Sequence, residues 1–472
     1  MSSLQQNDPA AAGGGVRNES EAMPAEFGLS MAIFVVVASM VGTGILTTSG
    51  FTMALVGSNQ YMLALWVVGA VIAITGALTL AELSAALPKT GGDYVFLFEA
   101  YGPLAAFLSG WASFLMGFSA PSAAAAFGSA KYMLAPFGFP ELHQRLLATF
   151  VIVAFALVHV AGRRGTSLAQ IWFTVLKVAV LGVLIVGGLA VGWPNFGNLN
   201  DPKPITLDLT TTMLFSLVYI YYSYTGWNGA SYLAGEIRNP QKVLPRAILW
   251  GTGLVALVYL AVNTVYALAL SADDVRAIAF DPSNKEGLDA VAPIAEIAAR
   301  RLFGSAWSNP LSVAMGLMML STLSVYLLLG PRVTYAMARA GHFPAVAARL
   351  TPRAETPGVA TLFQVIITLA LLWSGTFDSI LIYASVGLSL FSMLSMSAIF
   401  VLRVKRPDLP RPFRVPWYPF TPLIYLTLTG LLLVAAFANR PYISMISLGS
   451  MLVGVPVYYY FTWMNRTEPA SS

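Results

Sequence analysis

Long hydrophobic runs separated by short polar segments dominate the pattern of this 472-residue chain. A run of about 20 apolar residues is long enough to cross a hydrocarbon core about 30 Å thick as an α-helix. Helices satisfy their own backbone hydrogen bonds, so such runs become helical in lipid. The pattern predicts an all-α polytopic membrane protein with 12 transmembrane helices. Their approximate bounds are 28–55, 60–87, 103–135, 144–162, 166–190, 208–235, 245–270, 307–339, 359–375, 377–403, 418–438 and 441–463.

Two of these runs carry a polar, glycine-containing interruption at their middle. The first run holds Gly42 and Gly44 among hydroxyl residues, and the sixth holds Gly226 and Gly229. Glycine weakens a helix by about 1 kcal/mol relative to alanine, and a break in lipid exposes polar backbone groups. Interrupted spans at matching places in two halves are a sequence sign of a transporter's substrate site. We therefore predict that spans 1 and 6 are broken and bind substrate.

The composition and the charge distribution agree with a membrane protein. Hydrophobic residues make up 57% of the chain and charged residues only 10%, which excludes an ordinary soluble domain. If the N-terminus is cytoplasmic, 17 of the 26 Lys and Arg residues lie on the inner side and 8 on the outer side. This bias follows the positive-inside rule, so we expect a multi-pass cell (inner) membrane protein with both termini cytoplasmic. The net charge of +5 then reflects topology, and no nucleic-acid partner is expected.

Lys177 is the one basic residue that the loops do not account for. The fifth span rises about 17 Å from Thr166 to Lys177, which reaches the middle of the hydrocarbon core. An ionisable residue at that depth is costly and marks a functional site by default. A coupling or structural-charge role is predicted for Lys177, the alternative being a misplaced span boundary.

Four motifs in order resemble the amino acid, polyamine and organocation (APC) transporter superfamily, and most closely its bacterial amino acid permeases similar to L-type amino acid transporters. The resemblance covers roughly residues 25–465. The motifs are Gly42-Thr43-Gly44-Ile45, Ala81-Glu82-Leu83 with Pro88-Lys89-Thr90-Gly91-Gly92-Asp93-Tyr94, Tyr224-Thr225-Gly226-Trp227-Asn228-Gly229-Ala230 with Gly235-Glu236-Ile237-Arg238-Asn239-Pro240, and Gly330-Pro331-Arg332 with the segment through Pro344.

The resemblance implies a LeuT-like 5+5 inverted repeat with broken helices 1 and 6. The first repeat would span residues 25–190 and the second 191–405, with spans 11 and 12 in residues 406–464. Residues 1–24 and 465–472 are read as cytoplasmic tails, the first of them disordered because it is rich in small and acidic residues.

The resemblance also implies how the breaks bind an amino acid. Backbone N–H groups of Thr43, Gly44 and Ile45 would hold the carboxylate, as the N-terminus of a half-helix favours an anion. Carbonyls before the breaks would hold the ammonium, and Tyr222 would gate the pocket from outside unless it only packs in the core. The full set of expected substrate-binding residues is Met40, Val41, Gly42, Thr43, Gly44, Ile45, Tyr222, Ser223, Tyr224, Thr225, Gly226 and Asn228.

By the same resemblance, the Lys177 ammonium would stand where sodium-driven relatives bind an ion, so sodium coupling is not expected. The chain would be a secondary active transporter of neutral L-amino acids, either proton-coupled or exchanging. Neutral substrates are favoured because no carboxylate is apparent in the pocket, and a polyamine or other organic-cation transporter is the alternative. No metal, cofactor or enzymatic activity is predicted. With no cysteine in the chain, a disulfide-linked partner is not expected, and the protein would work as a monomer or homodimer.

Overall fold

The computed structural model describes residues 27–467 apart from residues 163–165, 353 and 355. The predicted tail 1–24 and residues 468–472 of the predicted tail 465–472 lie outside the described residues. Within the described range the chain is helical, and its one β-type contact is an isolated parallel bridge between Phe27 and Ile237. The prediction of an all-α protein is therefore confirmed for this part of the chain.

The helices follow the hydrophobic runs closely. Up to residue 224 they are α1 (Leu29–Met40), α2 (Thr43–Val56), α3 (Asn59–Ala86), α4 (Asp93–Tyr101), α5 (Pro103–Ala112), α6 (Ala120–Leu134), α7 (Glu141–Ala161), α8 (Thr166–Gly192) and α9 (Leu207–Tyr224). A π-helical turn at Ser113–Ser119 joins α5 to α6, and 3-10 turns lie at Ala135–Phe137 and Trp193–Leu199.

The second half of the chain is also helical. Its helices are α10 (Pro240–Ala269), α11 (Ala272–Ala279), α12 (Ile294–Phe303), α13 (Ser305–Arg339), α14 (Gly358–Ser374), α15 (Phe377–Lys405), α16 (Phe420–Asn439), α17 (Pro441–Leu452) and α18 (Gly454–Thr467). The 3-10 segments are Gly229–Glu236, Gly287–Val291 and Ala345–Ala348.

Short polar residues start several of the long helices. The hydroxyl of Ser58 accepts from Tyr61 N at the start of α3, and the hydroxyls of Thr206 and Thr376 do the same for α9 and α15. Such caps satisfy backbone N–H groups that have no partner within the helix. They define where α3, α9 and α15 begin.

Nine helical segments of the described chain are long and apolar enough to cross a membrane, and the bent pair α1 and α2 makes up to ten. These segments agree with a multi-pass membrane protein. The predicted spans 208–235 and 359–375 coincide with α9 and α14, which are not among the nine; α14 has 17 residues. Twelve transmembrane helices and a LeuT-like repeat stay predictions.

The broken pair lies at the centre of the bundle. The most apolar stretches of Asn59–Ala86 and Ser305–Arg339 are 61% buried, whereas that of Pro441–Met464 is only 17% buried. The last span is thus peripheral. Helix α1 packs on α10, and α2 packs on α9 and α11. The two interruptions of the sequence are thereby brought together in the core.

Candidate functional site

The first break leaves the N-terminus of α2 open. Helix α1 ends at Met40, α2 begins at Thr43, and the two are bent by 42°. Gly42 occupies the cap position and offers no side chain, so no side chain caps the first N–H groups of α2. All residues of α2 except Leu55 are buried. The arrangement presents backbone donors and the positive end of a helix dipole inside the protein, where they favour an anion.

The two breaks touch each other, and glycine is what permits the contact. A Cβ atom at Gly44 would lie 2.6 Å from Ser223 Cα, and one at Gly226 would lie 2.6 Å from Ser39 O. Gly226 also has a φ of 104°, a conformation that L residues rarely adopt. The glycine interruptions predicted as breaks therefore act as contact points between the two half-helix pairs.

A single tyrosine on α10 joins the two breaks. The Tyr259 hydroxyl lies 2.7 Å from Met40 O and 3.0 Å from Ser223 O, and the side chain is fully buried. A phenol carries one proton, so it donates fully to only one of these carbonyls at a time. The site therefore contains more carbonyl acceptors than this donor can satisfy.

Lys177 reaches the carbonyl next to the one that Tyr259 contacts. Its Nζ atom donates to Val41 O at 2.6 Å and lies 3.5 Å from Thr322 Oγ1 on α13. The side chain is only 5% exposed. The Lys177 ammonium thus supplies a hydrogen-bond donor to Val41 O, a carbonyl that the first break leaves without a helical partner. The structure supplies the hydrogen-bond partners of the lysine that the sequence singled out in the fifth span.

Hydroxyl groups line the interface between α2 and α9. Thr43 Oγ1 and the Tyr222 hydroxyl are 3.3 Å apart, and Thr48 Oγ1 and Ser223 Oγ are 2.7 Å apart. All four residues are buried. These pairs hold α2 against the end of α9. One of them involves Tyr222, the residue predicted to act as a gate.

The second break is tied mainly to its own neighbours. Thr225 Oγ1 and Thr225 N both donate to Tyr222 O, at 2.7 and 3.2 Å. Asn228 Nδ2 donates to Asp93 Oδ2 at 2.7 Å, and the Tyr232 hydroxyl donates to the same oxygen at 3.0 Å. Burial raises the pKa of Asp93, which lies before the third predicted span, and the hydrogen bond from Asn228 opposes that rise. Thr225 and Asn228 remain partly exposed.

Most of the predicted site residues come together at these two breaks. Tyr224 is the exception in orientation, because its ring packs with Trp66 and Tyr259 and its hydroxyl donates to Trp66 O at 3.3 Å. The residues around the breaks are Met40, Val41, Gly42, Thr43, Gly44, Ile45, Tyr222, Ser223, Thr225, Gly226 and Asn228.

Sequence reasoning missed four residues that contact the breaks: Thr48, Asp93, Tyr259 and Thr322. Asp93 belongs to one of the motifs, but the motif indicates no role for it. Thr48 is one of the hydroxyl residues of the first run. Tyr259 lies in an apolar run, where a tyrosine needs a partner for its hydroxyl. That need was the available signal, but the sequence does not indicate which carbonyls it meets.

The side of α2 away from α1 is covered by the long loop after α10. This loop contains the 3-10 turn Gly287–Val291 and α12, with Pro293 between them. Asp289 accepts from Phe377 N and Asp378 N, at 2.8 and 2.9 Å, and so caps α15. Burial raises the pKa of Asp289 to about 6, against the opposing charge of Lys131. The loop therefore joins α2, α6 and α15.

The sequence matches a known protein family and several known proteins. The sequence profile of a family described as amino acid permease matches residues 27–461. The chain is 32% identical to the human large neutral amino acids transporter small subunit 2 in an alignment of 475 positions that covers 97% of this chain and 83% of the relative.

Two further relatives align with this chain over most of their length. The serine/threonine exchanger SteT of Bacillus subtilis is 26% identical, with 94% of this chain and 98% of the relative covered. The human cystine/glutamate transporter is 27% identical, with 91% and 83% covered. All three relatives are named as amino acid transporters or exchangers.

Proposed function

Because the chain belongs to the amino acid permease family, we propose that it carries amino acids across the membrane by alternating access, with neutral L-amino acids as its substrates. Transport would be secondary and sodium-independent, driven by protons or by exchange. The observation that carries this proposal is the contact between two broken helices, which puts an uncapped helix N-terminus beside several carbonyl oxygens.

The two ends of an amino acid match the two kinds of backbone group at the breaks. The carboxylate would accept from N–H groups of Thr43, Gly44 and Ile45 at the start of α2. The ammonium would donate to carbonyls of Met40 and Ser223, which share one hydroxyl proton from Tyr259. A carbonyl oxygen has two lone pairs, so an additional donor can join Tyr259 there. Binding of substrate would satisfy acceptors that are under-supplied without it.

Lys177 is the proposed coupling residue. Its ammonium lies on Val41 O, in the first break, and connects α8 with α1 and α13. Loss of a proton from Lys177 would remove the charge-assisted hydrogen bond that holds this carbonyl, and binding at the break would then depend on the proton. Proton symport and exchange are both compatible with this role.

Neutral substrates are favoured by the names of two relatives, a large neutral amino acids transporter and a serine/threonine exchanger. The groups that contact the first break are hydroxyls, carbonyls and one lysine. A cationic substrate side chain would require a carboxylate to offset its desolvation.

An organic cation such as a polyamine is the second candidate, and one contact favours it. Asp93 accepts hydrogen bonds from the side chains of Asn228 and Tyr232, and neither of these neutral groups offsets the charge of its carboxylate. A carboxylate therefore lies one hydrogen bond away from the second break. Uptake of arginine and putrescine therefore distinguishes this candidate from a transporter of neutral amino acids.

We further propose an inner-membrane location with cytoplasmic termini and action as a monomer or homodimer. The human relative is named a small subunit. The present chain has no cysteine, so a disulfide to a larger partner is not available to it.

Uptake into proteoliposomes tests the proposal. Purified protein would be reconstituted, and uptake of radiolabelled neutral amino acids, arginine and putrescine would be measured in vesicles that are empty or preloaded. Each condition would be run with and without an inward proton gradient, and with sodium replaced by choline. Protein-free vesicles and a Gly44→Ala variant serve as controls, since a Cβ at Gly44 would collide with Ser223.

We expect uptake of neutral amino acids that survives the replacement of sodium. Accumulation in empty vesicles only with the gradient would indicate proton symport, and uptake only into preloaded vesicles would indicate exchange. Transport of putrescine without any amino acid would support the second candidate. Absence of uptake of every compound by monodisperse protein would contradict both.

A further inference from the structure

Asp93 fixes the orientation of a side chain in the second break. Its Oδ2 atom accepts from Asn228 Nδ2 at 2.7 Å and from the Tyr232 hydroxyl at 3.0 Å. Asp93 is only 6% exposed, whereas Asn228 is partly exposed. Two donors converge on one oxygen, so this oxygen acts as an acceptor whether or not the other carboxyl oxygen carries a proton.

The loop that carries Asp93 packs against the segment after the second break. Gly92 has a φ of 51°, and a Cβ there would lie 2.8 Å from Ser231 Oγ. Thr90 Oγ1 accepts from Gly235 N at 3.0 Å. These contacts position the Asp93 carboxylate relative to the 3-10 segment Gly229–Glu236.

An asparagine amide has a donor end and an acceptor end of nearly equal size. With Nδ2 held by Asp93, the Oδ1 atom of Asn228 points to the other side of the amide. An acceptor oxygen attracts a substrate ammonium, whereas a flipped amide would present its own N–H groups to that ammonium. An amide that faces the substrate therefore attracts an amino group in one orientation and repels it in the other.

We propose that Asp93 is a positioning residue that locks the Asn228 amide with its oxygen available to the substrate ammonium, and so selects amino acids over analogues that lack the amino group. This inference rests on the proposed function. Asp93 acts through Asn228 and does not itself contact the substrate.

Competition between matched compounds tests the inference. Uptake in proteoliposomes would be inhibited with pairs that differ in the amino group alone: L-alanine and L-lactate, L-serine and L-glycerate, and L-leucine and its 2-hydroxy analogue. The readout is the ratio of the inhibition constants within a pair, because a general loss of folded protein does not change this ratio.

Three variants separate orientation from general disruption. Asp93→Ala removes the acceptor, and we expect the ratio to fall about tenfold, the size of one charge-assisted hydrogen bond. Asp93→Asn retains an oxygen toward Asn228 and Tyr232, and should keep the ratio within about twofold. Tyr232→Phe removes the other donor to Asp93, together with the long 3.4 Å hydrogen bond that its hydroxyl accepts from Asn228 Nδ2, and should keep the ratio within about twofold.

Two outcomes would overturn the inference while amino acid transport stands. The first is an unchanged ratio in Asp93→Ala with reduced uptake, which would make Asp93 a structural residue of the loop. The second is a loss of arginine or putrescine uptake in Asp93→Asn, which would mean that the charge contacts the substrate directly. If neither member of any pair competes in the unmodified protein, the proposed function itself fails, and the inference fails with it.

Discussion

The two breaks are built from similar sequence but are held in different ways. Around the first break, side chains from distant helices supply the missing donors: Tyr259 from α10 and Lys177 from α8 reach Met40 O and Val41 O. Around the second, Thr225 uses its own hydroxyl and backbone N–H for Tyr222 O. The first break is buried, and the second is partly exposed at Thr225 and Asn228.

This difference teaches which break is fixed and which can change. A break held by three separate helices moves only if those helices move, because each hydrogen bond that is lost leaves a buried carbonyl without a donor. A break held by local bonds can rearrange without such a loss. We infer that the first break is the fixed half of the site and that, in the second, the backbone around Thr225 adapts to the substrate while Asp93 holds Asn228. The following variants test this comparison.

The largest effect is expected from Gly44→Ala. The added Cβ would lie 2.6 Å from Ser223 Cα, a backbone atom, so the two breaks must separate. Uptake should fall about 100-fold, as expected when binding groups shift by about 1 Å. Gly253→Ala is the matched control, since its Cβ would meet nothing within 4 Å. Normal uptake in Gly44→Ala would mean that the contact between the breaks is dispensable.

Lys177→Met should have the next largest effect. It leaves Val41 O without its charged donor, and proton-driven uptake should fall at least about tenfold. Lys203→Met provides the control, because the pair of Lys203 with Asp273 is exposed and contributes little. If the variant accumulates substrate as before under a proton gradient, Lys177 is not the coupling residue.

A smaller effect is expected from Tyr259→Phe, which removes one hydroxyl shared by Met40 O and Ser223 O. The KM for uptake should rise about fivefold, in keeping with one buried carbonyl left without a donor. Tyr224→Phe removes a longer hydrogen bond to Trp66 O and should change the KM less than about twofold. Equal effects of the two variants would argue against a special role for the hydroxyl between the breaks.

The smallest effect should come from Thr225→Val in the second break. Thr225 N continues to donate to Tyr222 O after the hydroxyl is lost, so uptake should change by about twofold or less. Thr264→Val removes a similar local bond within α10 and serves as the control. A tenfold or larger loss in Thr225→Val alone would reverse the ranking of the two breaks, and the second would then be the fixed one.

Local sequence features predicted a large part of this architecture. The hydrophobic runs fall on helices, and the glycines at 42 and 44 mark the place where α1 ends and α2 begins. Lys177 was identified from its depth in the fifth span. These features could be read in advance because run length, glycine content and a charge in an apolar segment depend on neighbours in the chain alone.

The tertiary structure decided which group meets which carbonyl. The sequence contains no signal that joins Tyr259 to both breaks, because Tyr259 lies 219 positions from Met40 and 36 from Ser223. The same holds for Asp93 and Asn228, which are 135 positions apart. Tyr224 was predicted at the site, yet its ring packs toward Trp66.

The sequence by itself thus determined the membrane class, the helices and the positions of the two breaks, since each follows from local hydrophobicity and backbone propensity. Only the tertiary structure decided how the broken backbone is satisfied, because a hydrogen bond requires two atoms about 3 Å apart and that proximity arises from helix packing. The same packing makes one break rigid and leaves the other partly open.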